Sequence, residues 1–192
     1  LHKTMLKTLF LNPPSYNGYD GGAGSRYQCT REVKSFWYPT WLAQLAALVE
    51  GSRLIDAPAR GLTLEEILPL SKEYEFLVIY TSTPSFPNDV KIAEAFKHKN
   101  KKLLIGFCGA HVAINPDHSV LASDAIDFVA RSEFDFTIKE IAEGNALEDT
   151  DGLTYKKNGQ PVHNKPRSMI KNMDTLPWVT KVYKDHLVTT DY

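Results

Sequence analysis

The chain has 192 residues, of which 43% are hydrophobic and 23% charged, and its formal net charge is −1. These proportions are those of an ordinary soluble globular chain with a full hydrophobic core, and they exclude collagen-like, low-complexity and disulfide-scaffold classes. The near-zero charge hides an asymmetry: residues 1–151 carry 15 basic and 20 acidic groups, a net −5, and residues 152–192 carry 7 and 3, a net +4. The basic end reads as a solvated tail or as a linker that docks on an acidic surface. No basic stripe with interleaved aromatics is present, so nucleic acid is not an expected partner.

The longest apolar runs, Leu77–Tyr80 and Leu103–Phe107, are strand-sized and well short of the ~18 residues of a membrane span. Leu1–Thr4 reads as a cloning remnant before a native start at Met5, too short and too polar for a signal peptide. Cys29 and Cys108 are expected to be free thiols in a cytoplasmic protein. Two thiols are also too few to hold an iron–sulfur cluster.

Strand and helix signals alternate along the chain. Leu6–Leu11 is a short apolar run without helical period, a first strand. A loop rich in Gly, Pro, Asn and Ser follows, to about Tyr38. Pro39–Glu50 has a helical apolar face of Trp41, Leu42, Leu45, Ala46, Leu48 and Val49, with Gly51 as its stop. Arg53–Asp56 is a second strand. Thr63 and Glu66 form a capping box that opens a helix, which Pro69 limits or kinks. Glu75–Tyr80 is a third strand, with the continuous apolar run of a strand buried on both faces. Pro87 sets the first turn of a helix whose buried side is Val90, Ala93 and Phe96.

Leu103–Phe107 is a fourth strand, and Asn115-Pro116 predicts a capped helix start. Ala125–Ala130 is a fifth strand, and Ser132 with Asp135 resembles a cap for the helix that buries Ile138 and Ile141. This pattern predicts an α/β fold: a doubly wound, flavodoxin-like (Rossmann-like) parallel sheet of five strands in the order 2-1-3-4-5. Residues 5–146 form that domain. Residues 147–192 form a hairpin, turning at Asn158-Gly159, and an extended linker from Lys165.

Ligands of open α/β sheets bind outside the carboxyl ends of the strands. Those ends carry Asn12, Pro13, Pro14 and Ser15, with Gly21–Arg26 further on. They also carry Thr81, Ser82, Thr83 and Ser85, then Cys108, Gly109, Ala110 and His111, then Arg131, Ser132, Glu133 and Phe134. Gly21–Arg26 is neither a dinucleotide nor a phosphate-loop signature; it is a flexible loop or a place of close backbone approach. The Thr81–Ser85 hydroxyls serve turn and cap chemistry or a polar ligand tail. Gly109-Ala110 is a tight turn or a small-residue floor. The six histidines have no metal-ligand spacing, no Gly-x-Ser-x-Gly elbow is present, and no catalytic residue stands out.

Lys7–Leu11 with Asn12-Pro13-Pro14-Ser15 resembles the opening of the cobalamin-binding domain of B12-dependent radical SAM enzymes. Trp37-Tyr38-Pro39 with Trp41–Leu48, Ile55-Asp56-Ala57, Gly109-Ala110-His111 and Asp127–Glu133 extend the likeness. Glu140–Gly144, Gly152–Tyr155 and Asp174–Pro177 carry it through the linker. Gly21–Gln28 with Phe36–Ala43 resembles, more narrowly, the hopanoid-biosynthesis radical SAM family, which is tied to the cyclitol ether head group of bacteriohopanetetrol.

The resemblance implies cobalamin held by Asn12–Ser15, Thr81–Thr83, Ser85, Gly106–His111 and Arg131–Phe134. It also implies a radical SAM barrel after Tyr192 that would carry the 4Fe–4S cluster and S-adenosylmethionine, and peripheral membrane contact of the longer enzyme. Without Cys-x3-Cys-x2-Cys this stretch is expected to be inactive alone. The histidine of Asp-x-His-x-x-Gly is missing, which implies His-off cobalamin. Phe134 stands where that family has Gly. It favours an alternative in which the fold has lost cobalamin and serves as a docking or substrate-recognition module. A flavin- or nucleotide-binding flavodoxin-like domain and a small hydrolase are the remaining alternatives.

Overall fold

A computed structural model describes residues 4–14, 35 and 37–192. Ser15, Gly21–Arg26 and Cys29 lie outside the described residues. The five expected parallel strands are β1 (Thr8–Asn12), β2 (Arg53–Asp56), β3 (Phe76–Tyr80), β4 (Leu104–Cys108) and β5 (Phe128–Ala130). They pair in the order β2-β1-β3-β4-β5 with every pairing parallel. The doubly wound, Rossmann-like α/β fold is therefore as the sequence predicts.

The strand count differs. β6 (Leu153–Lys157) and β7 (Gln160–His163) add antiparallel to β5 and make one seven-stranded sheet. The turn between them is the expected Asn158-Gly159, with φ of 53° and 74°, the left-handed pair of a tight hairpin turn. The hairpin thus covers the edge that β5 would otherwise expose.

Because strand side chains alternate, each strand feeds two cores. On one face Phe10, Leu54, Phe76, Val78, Cys108 and Phe128 pack with α1 (Thr40–Leu48) and α7 (Asp135–Ala142). On the other, Leu9, Leu11, Leu77, Ile79, Ile105, Phe107 and Val129 pack with Ile92, Ala93 and Phe96 of α4 (Phe86–Lys99). Lys97 of α4 donates to Asp127 Oδ2 at 2.7 Å, and the same oxygen accepts the Ile105 N–H at 2.7 Å. That ties the approach to β5 onto β4.

Short helices that the sequence did not reveal fill the crossovers. They are α2 (Ala57–Arg60) and α5 (Ala110–Ile114), beside α3 (Leu64–Ile67) and α6 (Pro116–Leu121). The Thr63/Glu66 capping box is present in both directions, at 2.7 and 3.4 Å. A 3-10 turn, Leu68–Lys72, takes over at the proline.

The other two caps form differently. Asn115 caps nothing with its side chain; its carbonyl instead accepts the Ser119 hydroxyl at 2.6 Å. Ser132 is held at φ 48° outside α7, whose N-cap position is Phe134. Nor does Trp41 join the buried face of α1: it is 58% exposed. Residues 165–192 are not extended throughout, because α8 (Thr180–His186) folds back and buries Val182 and, just beyond it, Leu187 in the first core.

Candidate functional site

β1 and β3 are neighbours whose crossovers run to opposite faces, so the carboxyl ends of these strands frame the crevice in which such sheets bind ligands. Asn12, Pro13 and Pro14 leave β1 buried. Asn88 of α4 donates to the Pro14 carbonyl at 3.1 Å and fixes that exit. Asn12 Nδ2 donates to Asp56 Oδ1, at the end of β2, at 2.6 Å.

The hydroxyls after β3 divide in two. Thr81 is fully buried and donates to Asp89 Oδ2 at 2.7 Å. Ser85 accepts the Ser82 N–H at 3.0 Å and lies 3.0 Å from the Ser82 hydroxyl. These three close the turn into α4. Thr83 is exposed and reaches across to His111 Nδ1 at 3.2 Å, bringing together two candidate residues 28 positions apart.

His111 is the most informative group here. It is 8% exposed, and its ring stacks on Phe86 at 4.3 Å between centroids. His118 lies edge-on at 6.3 Å. Burial first, then the charge of His118, holds the His111 imidazole below its ordinary pKa. The ring is therefore neutral near pH 7, and its Nε2 is buried without a hydrogen-bond partner among the described residues. An orphaned buried ring nitrogen is uncommon and points to a group that would complete it.

Gly109 sits beside it with φ 114°. A Cβ there would stand 2.3 Å from the Thr81 carbonyl, so this close approach of two strand exits admits only glycine. Burial raises the Cys108 thiol well above its usual value, so it stays protonated and inert.

Other candidate residues are turned elsewhere. Gly106 faces the Phe128 ring, and Phe107 packs edge-on to Phe86 in the opposite core. Arg131 donates to the Leu153 and Asn164 carbonyls at 3.2 and 2.5 Å, so its guanidinium secures the hairpin. Ser132 is exposed, and Glu133 and Phe134 are half-buried. The Phe134 ring meets Tyr80 edge-on at 6.1 Å.

Sequence reasoning missed an aromatic surface at this end. Trp41 lies nearly parallel to Tyr80, 6.4 Å away, and the two border a small cleft of about 20 Å³ with Asn12, Pro39 and Leu42. The available signal was Trp41 at the first turn of a helix that follows a site loop. Among the described residues no group of three His, Cys, Asp or Glu side chains is placed to hold a metal ion. No helix of the described residues is long and apolar enough to cross a membrane.

No family model matches the chain. It is 32% identical over 148 residues to an uncharacterized methyltransferase of Pyrococcus horikoshii; the match covers 72% of this chain and 32% of the relative. The chain thus spans about a third of the length of that curated relative.

Two kinds of solved structure share the fold. One is the radical S-adenosylmethionine methyltransferase TsrM from Kitasatospora setae with cobalamin and a [4Fe-4S] cluster bound. Its TM-score is 0.60 at 13% identity, over 88% of this chain and 30% of that one. The other is the cobalamin-dependent S-adenosylmethionine radical enzyme OxsB with aqua-cobalamin bound. Its TM-score is 0.62 at 14% identity, over 85% of this chain and 23% of that one.

Proposed function

We propose that this chain is the cobalamin-binding part of a B12-dependent radical SAM enzyme. The observation that carries the reading is the His111 Nε2, buried and without a partner among the described residues at the carboxyl end of β4, in a fold shared with enzymes solved with cobalamin. The residues fit such a group in three respects. The exposed Trp41 and half-buried Tyr80 offer an apolar surface of the kind a corrin ring covers. Thr83 and His111 supply polar groups for its side chains or tail. Gly109 keeps the adjoining backbone close and unobstructed.

Bound cobalamin supplies methyl-carrying organometallic chemistry, which no side chain can provide. The chain's own residues would hold and orient that group: Asn12–Ser15, Thr81–Ser85 and Cys108–His111. Thr81 and Ser85 act by shaping the turn, and Gly106, Phe107 and Arg131 by shaping the sheet. Ser132, Glu133 and Phe134 border the site. No histidine lies between His2 and His98, so the loop after β1 would offer a bound cobalamin no imidazole, which supports a His-off reading.

In the longer enzyme, residues 5–146 hold the cofactor and residues 147–192 lead to a radical SAM barrel with its 4Fe–4S cluster and S-adenosylmethionine. The resemblance of Gly21–Gln28 and Phe36–Ala43 to the hopanoid-biosynthesis family extends the proposal to modification of a hopanoid head group by a cytoplasmic, membrane-peripheral enzyme.

A second reading, a docking module that has lost cobalamin, is favoured by one feature: the Phe134 ring lies against Tyr80 where the related family has glycine. Titration of hydroxocobalamin, followed by gel filtration and visible absorbance, decides between them. Corrin co-eluting with the chain, and lost in Ala110→Trp and His111→Leu, supports the cofactor site. Absence of co-elution with both this chain and the full-length polypeptide overturns it and leaves the docking module.

A further inference from the structure

The last residues of the chain return to the end of β1. Tyr192 donates its hydroxyl to Asp56 Oδ2 at 2.7 Å, and Asp56 Oδ1 accepts from Asn12 Nδ2 at 2.6 Å. Asn12 and Asp56 are both 2% exposed. The segment carrying Tyr192 is fastened at several independent points. The Ser35 N–H donates to the Asp191 carbonyl at 2.8 Å. Tyr38 is sandwiched between Tyr183 and Tyr192, each 4.3 Å away. Thr40 and Tyr183 share a 2.9 Å hydrogen bond between hydroxyls.

A carboxylate accepts and does not donate, so Asp56 fixes which end of the Asn12 carboxamide faces it. The tyrosine in turn fixes the carboxylate. Burial, and then Asp56 itself, raises the Tyr192 pKa, which keeps the phenol protonated as the donor. Removing one donor from a buried carboxylate weakens the hydrogen-bond network it belongs to, and the groups that carboxylate orients are then held less firmly.

We propose that Tyr192 and Asp56 are positioning residues for Asn12, so that the C-terminal segment sets the amide presented at the end of β1. The inference rests on the cobalamin reading of that end and adds a device to it. Whatever displaces residues 188–192 also reorients Asn12, which links the path of the chain beyond the hairpin to the cofactor crevice.

The test is a double-mutant cycle on hydroxocobalamin affinity, read by visible absorbance. Tyr192→Phe keeps the ring on Tyr38 and removes only the hydroxyl. Each of Asn12→Ala and Tyr192→Phe should weaken binding by about three- to tenfold, the worth of one hydrogen bond. The double variant should be no weaker than Asn12→Ala alone, because the tyrosine acts through the asparagine. Unchanged affinity in Tyr192→Phe, or losses that multiply, overturn the proposal.

A second readout does not need the cofactor. The side-chain amide resonances of Asn12 should shift in Tyr192→Phe while the thermal midpoint stays within a few degrees. If neither the chain nor the full-length polypeptide binds corrin and the resonances still shift, the relay stands and the cobalamin reading fails. Unshifted resonances overturn the relay whatever the corrin does.

Discussion

The backbone N–H of Leu54 donates to Nδ1 of His186 at 3.1 Å, across 132 positions of sequence. A protonated imidazole has no acceptor to offer at that nitrogen, so the bond needs neutral His186. Burial, then the neighbouring Arg53, lowers its pKa below the ordinary 6.5, and Asp185 offsets part of this. The unfolded chain therefore binds the proton more readily than the folded one. Stability from this group is present above about pH 6.5 and is lost as pH falls through the lowered value. The C-terminal segment should loosen as pH drops from 7 to 5, read as a lower protection factor at the Leu54 amide, that is, exchange measured against the intrinsic rate at each pH. His186→Gln should remove that pH dependence. A Leu54 protection factor that ignores pH in the wild-type chain would sink the argument.

Thr81 and Thr83 have different surroundings in one loop, Thr81 bonded to Asp89 and Thr83 exposed beside His111. Thr81 and Asp89 are both fully buried, and the Thr81 hydroxyl is a donor to the Asp89 carboxylate. Thr81→Val leaves that carboxylate short of a donor and should cost about 1–3 kcal/mol of stability. Thr83→Ala removes an exposed side chain and should cost less than about 0.5 kcal/mol, while weakening corrin binding through the loss of its contact with His111. Thermal denaturation beside corrin titration distinguishes them. A Thr81→Val chain of wild-type stability would contradict the structural assignment.

The fold was legible because its signals are local. Continuous apolar runs mark strands buried on both faces, and the capping box and the Asn158-Gly159 turn are short-range chemistry. What the sequence hid depends on long-range contact. Nothing in Leu153–Lys157 states that it pairs with β5 rather than standing apart, and Val182 and Leu187 carry too short a pattern to reveal that α8 packs on the first core. In the site, strand order alone brings Thr83 to His111. Asp56 and Tyr192 were invisible because a buried relay has no spacing signature, and Trp41 was hidden inside an apolar helical pattern that it does not bury.

Glycine substitutions report how tightly the strand exits approach each other. Gly159 has φ 74° with open space around its missing Cβ, so Gly159→Ala meets only the backbone cost of a left-handed residue, about 1–2 kcal/mol. At Gly109 the same change adds a clash with the Thr81 backbone at 2.3 Å, which no side-chain rotation relieves. Gly109→Ala should fail to give a cooperative thermal transition, whereas Gly159→Ala should give one lowered by several degrees. Equal midpoints for the two variants would show that the approach of β3 and β4 yields more easily than the geometry requires.

On the proposed cobalamin reading, Phe134 sets how open the crevice is. Its half-buried ring meets Tyr80 edge-on, at the start of α7 and beside the aromatic surface assigned to the corrin. A ligand that settles there must displace the ring from contacts worth roughly half of a buried phenyl side chain, about 1.4 kcal/mol. Phe134→Gly removes that cost in advance and should tighten hydroxocobalamin binding by about tenfold, while lowering the thermal midpoint because Tyr80 loses its neighbour. The same titration on Phe134→Leu, which keeps an apolar side chain without the ring, should fall between the two. Weaker binding in Phe134→Gly would mean that the ring is part of the corrin surface rather than an obstacle to it. No binding by any of the three, in the chain or in the full-length polypeptide, would leave the docking module as the function of this fold.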